Sequence, residues 1–141
     1  MQNKQTILIV DDIKENIDVI RESLNEYDLI TAINGETAID IALKEENIDL
    51  ILLDIMMPGM DGFEVCKILK KNQKTKHIPI IFLSAKNNQE DIQKSFEIGG
   101  VDYIAKPFHP GELISRVTTQ QKLRSYEKNL EQKVKEEVQK N

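Results

Sequence analysis

Five apolar runs, each followed by an amphipathic stretch, constrain the fold of this chain more than any other feature. The runs TILIV (6–10), DLITAI (28–33), IDLILLD (48–54), IPIIFLS (78–84) and VDYIAK (101–106) are largely continuous Ile, Leu and Val. A strand with one wet face alternates apolar and polar residues, whereas a continuous apolar run marks a strand covered on both faces, as in parallel sheets. Helical patterns follow at 13–27, 35–47, 61–73 and 88–99, with a last one from about Pro110. Crossovers between parallel strands are right-handed almost without exception. The spacing therefore predicts an α/β doubly wound, three-layer sandwich with a parallel five-stranded sheet, five helices and an extended C-terminal helix. In such sheets ligands bind beyond the carboxyl ends of the strands, where strand order reverses.

Charged and hydroxyl side chains stand where these runs stop. Asp11 and Asp12 follow ILIV, Asp54 closes DLILLD, Ser84 closes IIFLS and Lys106 follows VDYIA. Singly, an Asp or Ser at a strand end is a turn or a helix cap. Together, on strands ~4.8 Å apart, three carboxylates repel one another unless a cation lies between them, and the set suits a divalent metal and a phosphoryl group. Asp54 is the candidate nucleophile. Pro58, Gly59 and Gly62 in the following loop IMMPGMDG are expected to form a tight turn that leaves its side chain exposed. Asp11 and Asp12 fit Mg²⁺, which takes one or two carboxylates together with phosphate oxygens and water. Lys106 offers a point charge and Ser84 a hydroxyl to phosphoryl oxygens.

Composition narrows the class. At 141 residues, 40% hydrophobic and 30% charged, the chain has the size and make-up of one globular domain. No apolar run approaches the ~20 residues of a membrane span, and the N-terminal MQNKQ has no hydrophobic signal core, so a cytoplasmic protein without membrane partners is expected. The net charge of −5 argues against direct nucleic-acid binding. Residues 119–141 carry six Lys/Arg against four Glu, leaving about −7 for the first 118. The single cysteine, Cys66, excludes an internal disulfide and is read as an inert buried thiol. His77 and His109 lack a partner ligand at helical spacing and are read as loop residues.

The segments VDD, LLDIMMPGMDG, LSAK and DYIAKPF, in this order and spacing over about residues 5–120, resemble the receiver (CheY-like) domain of two-component response regulators. The resemblance implies a flavodoxin-like (βα)5 fold and a cytoplasmic bacterial signalling module rather than an enzyme. It also implies that Asp54 accepts a phosphoryl group from a sensor histidine kinase or histidine phosphotransfer protein. Mg²⁺ would be bound by Asp11, Asp12, Asp54 and the backbone carbonyl of Met56. Lys106 and Ser84 would contact the phosphoryl group, while Ser84 and Tyr103 act as switch residues altering the face of the fourth helix, fifth strand and fifth helix. Lys106 would precede Pro107 through a cis bond, and Met56 and Lys86 would flank the pocket. Ser84 replaces the commoner threonine, and Gly99-Gly100 replaces the usual Gly-Ala, which implies a looser approach to the fifth strand. Asn16 and the segment LEQKVKEEVQKN resemble receivers joined to larger signalling enzymes, implying a downstream kinase or nucleotide-cyclising module.

The division expected is a receiver over 1–120 and a helical extension over 121–141. Leu113, Val117, Leu123, Tyr126, Leu130, Val134 and Val138 form an apolar series in one long helix. It is read either as a solvated helix with pairs such as Glu131 and Lys135, or as half of a dimeric coiled coil. The homodimer would form through this helix or through the switch face, and the segment would be a linker to an output module or a truncated one. Three rival functions each make a demand on the sequence. A haloacid dehalogenase-type phosphohydrolase needs an acid two residues after the nucleophile, where this chain has Met56. A flavodoxin-like cofactor protein needs Gly, Ser or Thr where the first strand is followed by acids. A receiver used only for phosphorylation-independent docking or dimerisation predicts a damaged pocket.

Overall fold

The computed structural model describes residues 4–84 and 89–139, with side chains through 135; Lys86 and the Val138 side chain lie outside the described residues. Its elements are β1 (Thr6–Val10), α1 (Lys14–Ser23), β2 (Asp28–Ala32), α2 (Gly35–Lys44), β3 (Ile48–Asp54), α3 (Gly62–Lys71), β4 (Ile80–Ser84), α4 (Gln89–Glu97), β5 (Asp102–Ala105) and α5 (Pro110–Gln139). All strand pairs are parallel in the order β2-β1-β3-β4-β5. The expected α/β architecture holds.

Two cores follow from the two-residue period of the strands. Leu8, Val10, Ile51, Leu53, Ile80 and Phe82 point to one face, under α2 and α3, with Ala38, Ala42, Val65, Cys66 and Leu69 packed on them. Ile7, Ile9, Leu50, Leu52, Ile81 and Leu83 point to the other, covered by Ile17, Ile20 and Leu24 of the α1 region and Leu113 and Val117 of α5. Both-sided burial is complete in β3, whereas the edge strand β2 is buried only at Ala32. Helix ends fall short of their apolar patterns. At α1 the chain leaves helical geometry at Leu24, whose carbonyl then accepts from the Tyr27 N–H at 3.1 Å, closing a turn into β2. Asn34 and Asp61 cap α2 and α3 by accepting from the N–H groups of Thr37 (2.8 Å) and Glu64 (2.9 Å).

The expected looseness before β5 is not found. A Cβ on Gly100 would stand 2.7 Å from Phe82 ring carbons and 2.8 Å from the Ser95 carbonyl oxygen, so this glycine permits a close approach of backbone to core.

The apolar series of α5 divides into two faces. Leu113 and Val117 are buried against the sheet, while Leu123, Tyr126, Leu130 and Val134 are 50–66% exposed. At ~100° per residue, Leu123 lies about 240° around the helix from Val117, whereas Gln121, Arg124 and Lys128 fall within roughly 40° of it. The side chains that continue the sheet-facing side are therefore polar. Ion pairs within α5 join Glu112 to Arg116 (3.1 Å) and Arg124 to Glu127 (3.9 Å), in place of the Glu131–Lys135 pair expected from spacing.

Candidate functional site

Strand order reverses between β1 and β3, and the charged cluster sits at their carboxyl ends. Asp11 follows β1, Asp54 is the last residue of β3, and Lys106 follows β5. Ligand atoms of Asp11, Asp12 and Asp54 all lie within 4.8 Å of one another. The Lys106 ammonium stands 3.0 Å from Asp11 Oδ2 and 3.2 Å from Asp54 Oδ1, reaching in from two strands away. Ser84 ends β4 between them, buried, and its backbone carbonyl accepts from the Lys106 N–H at 2.6 Å. The Lys106-Pro107 peptide bond is cis, as the resemblance implied.

Asp54 is 1% exposed, against the expectation of an open side chain. The loop after it turns back instead of leading away. Gly59 takes φ +75°, and Gly62 returns its N–H to the Ile55 carbonyl at 2.9 Å, so close that a Cβ there would collide with the Asp54 carbonyl oxygen. Asp54 Oδ1 accepts from the Met56 N–H at 3.4 Å, and the Met56 side chain stands exposed at the rim.

The electrostatics are unbalanced. Burial, and next the Asp11 carboxylate, push the Asp54 carboxyl up from 3.8 to about 7, despite the opposing pull of Lys106. Asp12 Oδ1 and Asp54 Oδ2 are buried without a hydrogen-bond donor, and Asp11 Oδ2 has only the Lys106 ammonium beside it. One ammonium cannot satisfy three carboxylates. Orphaned carboxylate oxygens this close together are a donor set for a hard divalent cation, and the triad is consistent with such a site.

Matches to known proteins agree with this geometry. Residues 7–118 match the response regulator receiver domain. The chain belongs to the receiver domain family. It is 50% identical over 115 residues to a probable cyclic di-GMP phosphodiesterase of Vibrio cholerae, covering 81% of this chain and 26% of that protein. It is 41% identical over 113 residues to the response regulator PleD of Caulobacter vibrioides, covering 79% and 25% respectively. The chain thus spans about a quarter of the length of these curated relatives. Among solved structures, a putative response regulator from Chloroflexus aurantiacus superposes with a TM-score of 0.80 at 34% identity, over 84% of this chain and 98% of that one. Chemotaxis response regulator CheY4 of Vibrio cholerae gives 0.78 at 28% identity, over 84% and 99%. Receiver domains partner with histidine kinases and are typically non-enzymatic phosphoacceptor modules of two-component signalling.

The remaining candidates take their places around this receiver pocket. Tyr103, on the edge strand β5 and paired with Phe82 across the β4–β5 ladder, is buried. Beside it a groove between α4 and α5 is lined by Ile92, Phe96, Lys106, His109 and Arg116, with Arg116 bridged to Asp102 at 2.7 Å. His77 and His109 are exposed and outside the helices and strands. Burial pushes the Cys66 thiol up to about 11, which matches its inert reading. Among the described residues no helix is long and apolar enough to cross a membrane.

Two contributors were not legible as site residues. Asn16 donates to Asp11 Oδ1 at 3.4 Å, beside the Ile13 N–H at 2.9 Å, and so aims the other Asp11 oxygen at Lys106. Its position four residues after Asp12 was the available signal. Gly62 acts through the space it leaves for Asp54, which only the fold reveals.

Proposed function

We propose that this receiver is switched by phosphorylation of Asp54. The observation that carries the reading is the deficit of positive charge around Asp54: buried, orphaned carboxylate oxygens with one lysine among them. Asp11, Asp12 and Asp54, with the Met56 backbone carbonyl, would hold Mg²⁺, which supplies charge neutralisation for an incoming phosphoryl group. The ionised Asp54 carboxylate attacks the phosphorus of a phosphohistidine on a sensor histidine kinase or phosphotransfer protein. The new P–O bond forms as the P–N bond breaks, and the imidazole leaves with the electron pair. Lys106 steadies a phosphoryl oxygen by its charge, and Ser84 donates its hydroxyl to another. Ser84 and the buried Tyr103 would then couple the pocket to the α4-β5-α5 face.

Partners follow from the two exposed surfaces. A homodimer through the Leu123, Tyr126, Leu130, Val134 stripe or through the α4-β5-α5 face fits their exposed apolar side chains, Phe96 included. The lengths of the relatives, one of them named a probable cyclic di-GMP phosphodiesterase, support an output enzyme module beyond α5.

The direct test is phosphorylation by a small phosphodonor with Mg²⁺, comparing wild type with Asp54→Asn. Incorporation in the wild type alone is expected; equal incorporation in both overturns the assignment.

A further inference from the structure

The end of the sheet opposite the pocket holds a second buried acid. Asp49, the second residue of β3, is 6% exposed. Its Oδ2 accepts the Thr6 N–H at 3.0 Å, and its Oδ1 accepts the Lys128 ammonium at 2.6 Å, with Arg124 Nε at 3.8 Å. Both cations come from α5, beyond the receiver match at 7–118. Gln5, just before β1, adds its side-chain amide to the same helix, donating to Ser125 Oγ at 3.3 Å and toward the Gln121 carbonyl at 3.4 Å. Four positions of the helix, 121, 124, 125 and 128, therefore meet the amino ends of β1 and β3 through polar contacts.

A carboxylate this buried is unfavourable without a cation. Thr6 alone gives Asp49 a hydrogen bond but no charge partner; the helix supplies the charge. A polar helix segment, in turn, is marginal without tertiary contacts. Each stabilises the other. We infer that Asp49 is an ionic anchor that makes residues 121–128 of α5 part of the receiver body and so sets the direction in which the exposed Leu123, Tyr126, Leu130, Val134 stripe leaves it. The receiver body then extends to Lys128, not only to residue 120. The surface that residues 121–128 present is thereby held against β3, the strand whose other end bears Asp54.

Amide hydrogen exchange on the full chain, diluted until sedimentation shows a monomer, tests this. In the wild type, amides of 121–128 are expected to exchange about tenfold or more slowly than those of 129–135, since hydrogen bonds to a charged group hold the segment. Asp49→Asn keeps an acceptor for Thr6 but removes the charge, and should erase that gap while leaving 113–117 protected. Arg124→Gln with Lys128→Gln should do the same, and adding Asp49→Asn to that pair should change little further. Equal exchange across 121–135 in the wild type overturns the anchor, as does a gap that survives either set of substitutions. Phosphorylation of Asp54 by a small phosphodonor should be unchanged in Asp49→Asn, so the anchor is tested separately from the pocket.

Discussion

Strand β3 carries a buried carboxylate at each end, and the two have opposite fates. At the amino end Asp49 meets an amide N–H, an ammonium at 2.6 Å and a guanidinium at 3.8 Å. At the carboxyl end Asp54 shares one ammonium with Asp11, and one buried oxygen on each of Asp11, Asp12 and Asp54 lacks a hydrogen-bond donor. The same residue type on the same strand thus has its charge compensated at one end and not at the other, even though Arg124 Nε beside Asp49 is itself buried without a hydrogen-bond partner. The lesson is that burial of an acid does not mark a functional site. An uncompensated charge does, because the protein tolerates that cost where a ligand relieves it.

Breaking each end should separate them. The largest effect is expected from Lys106→Met, which removes the cation for the developing phosphoryl charge: incorporation from a small phosphodonor should fall by about 100-fold or more, as read by mass spectrometry. At the other end, Asp49→Ala leaves the Thr6 N–H and two cations without their acceptor and should cost about 2–3 kcal/mol in urea unfolding. Asp54→Asn should do the opposite at pH 8 without metal, raising the melting temperature by about 5 °C, because it replaces an unfavourable buried anion by a neutral isostere.

The pH profile sharpens the contrast. With Asp54 near 7 when folded and 3.8 when unfolded, both states bind its proton below 3.8. Between those values only the folded state keeps it, so metal-free stability should fall as pH rises through this window and level off above about 7. Asp54→Asn should flatten that decline. Millimolar Mg²⁺ should raise the melting temperature of the wild type at pH 8 and much less at pH 5, where Asp54 is protonated; equal shifts at both would count against the acids as the binding site. The smallest effect is expected from Asn16→Ala, which should weaken the Mg²⁺ midpoint severalfold in the same assay through loss of Asp11 orientation.

The run IDLILLD was legible to the residue, because a strand covered on both faces is mostly apolar along its whole length, whereas the runs at 28–33, 78–84 and 101–106 each overran the strand that forms. The helix ends were not, since Leu24 still fits the apolar period after the backbone has turned toward β2. Asp11, Asp12, Asp54, Ser84 and Lys106 could be placed on one rim from their positions at the ends of apolar runs. The burial of Asp54 could not, because it depends on Gly62 approaching the strand it follows. Nor could Asp49, embedded in an apolar run as an apparent interruption.

The alternation of apolar runs with amphipathic stretches determined by itself that this chain forms a parallel, doubly wound sheet with acids at one rim, because local pattern dictates which residues must be buried on which element. Tertiary structure decided which way α5 faces. Leu113 through Val134 read as one continuous series along the chain, yet the helix turns four of its six residues toward solvent and lays Arg124 and Lys128 against Asp49. That choice depends on charge supplied by a strand some eighty residues away, and no local period carries it.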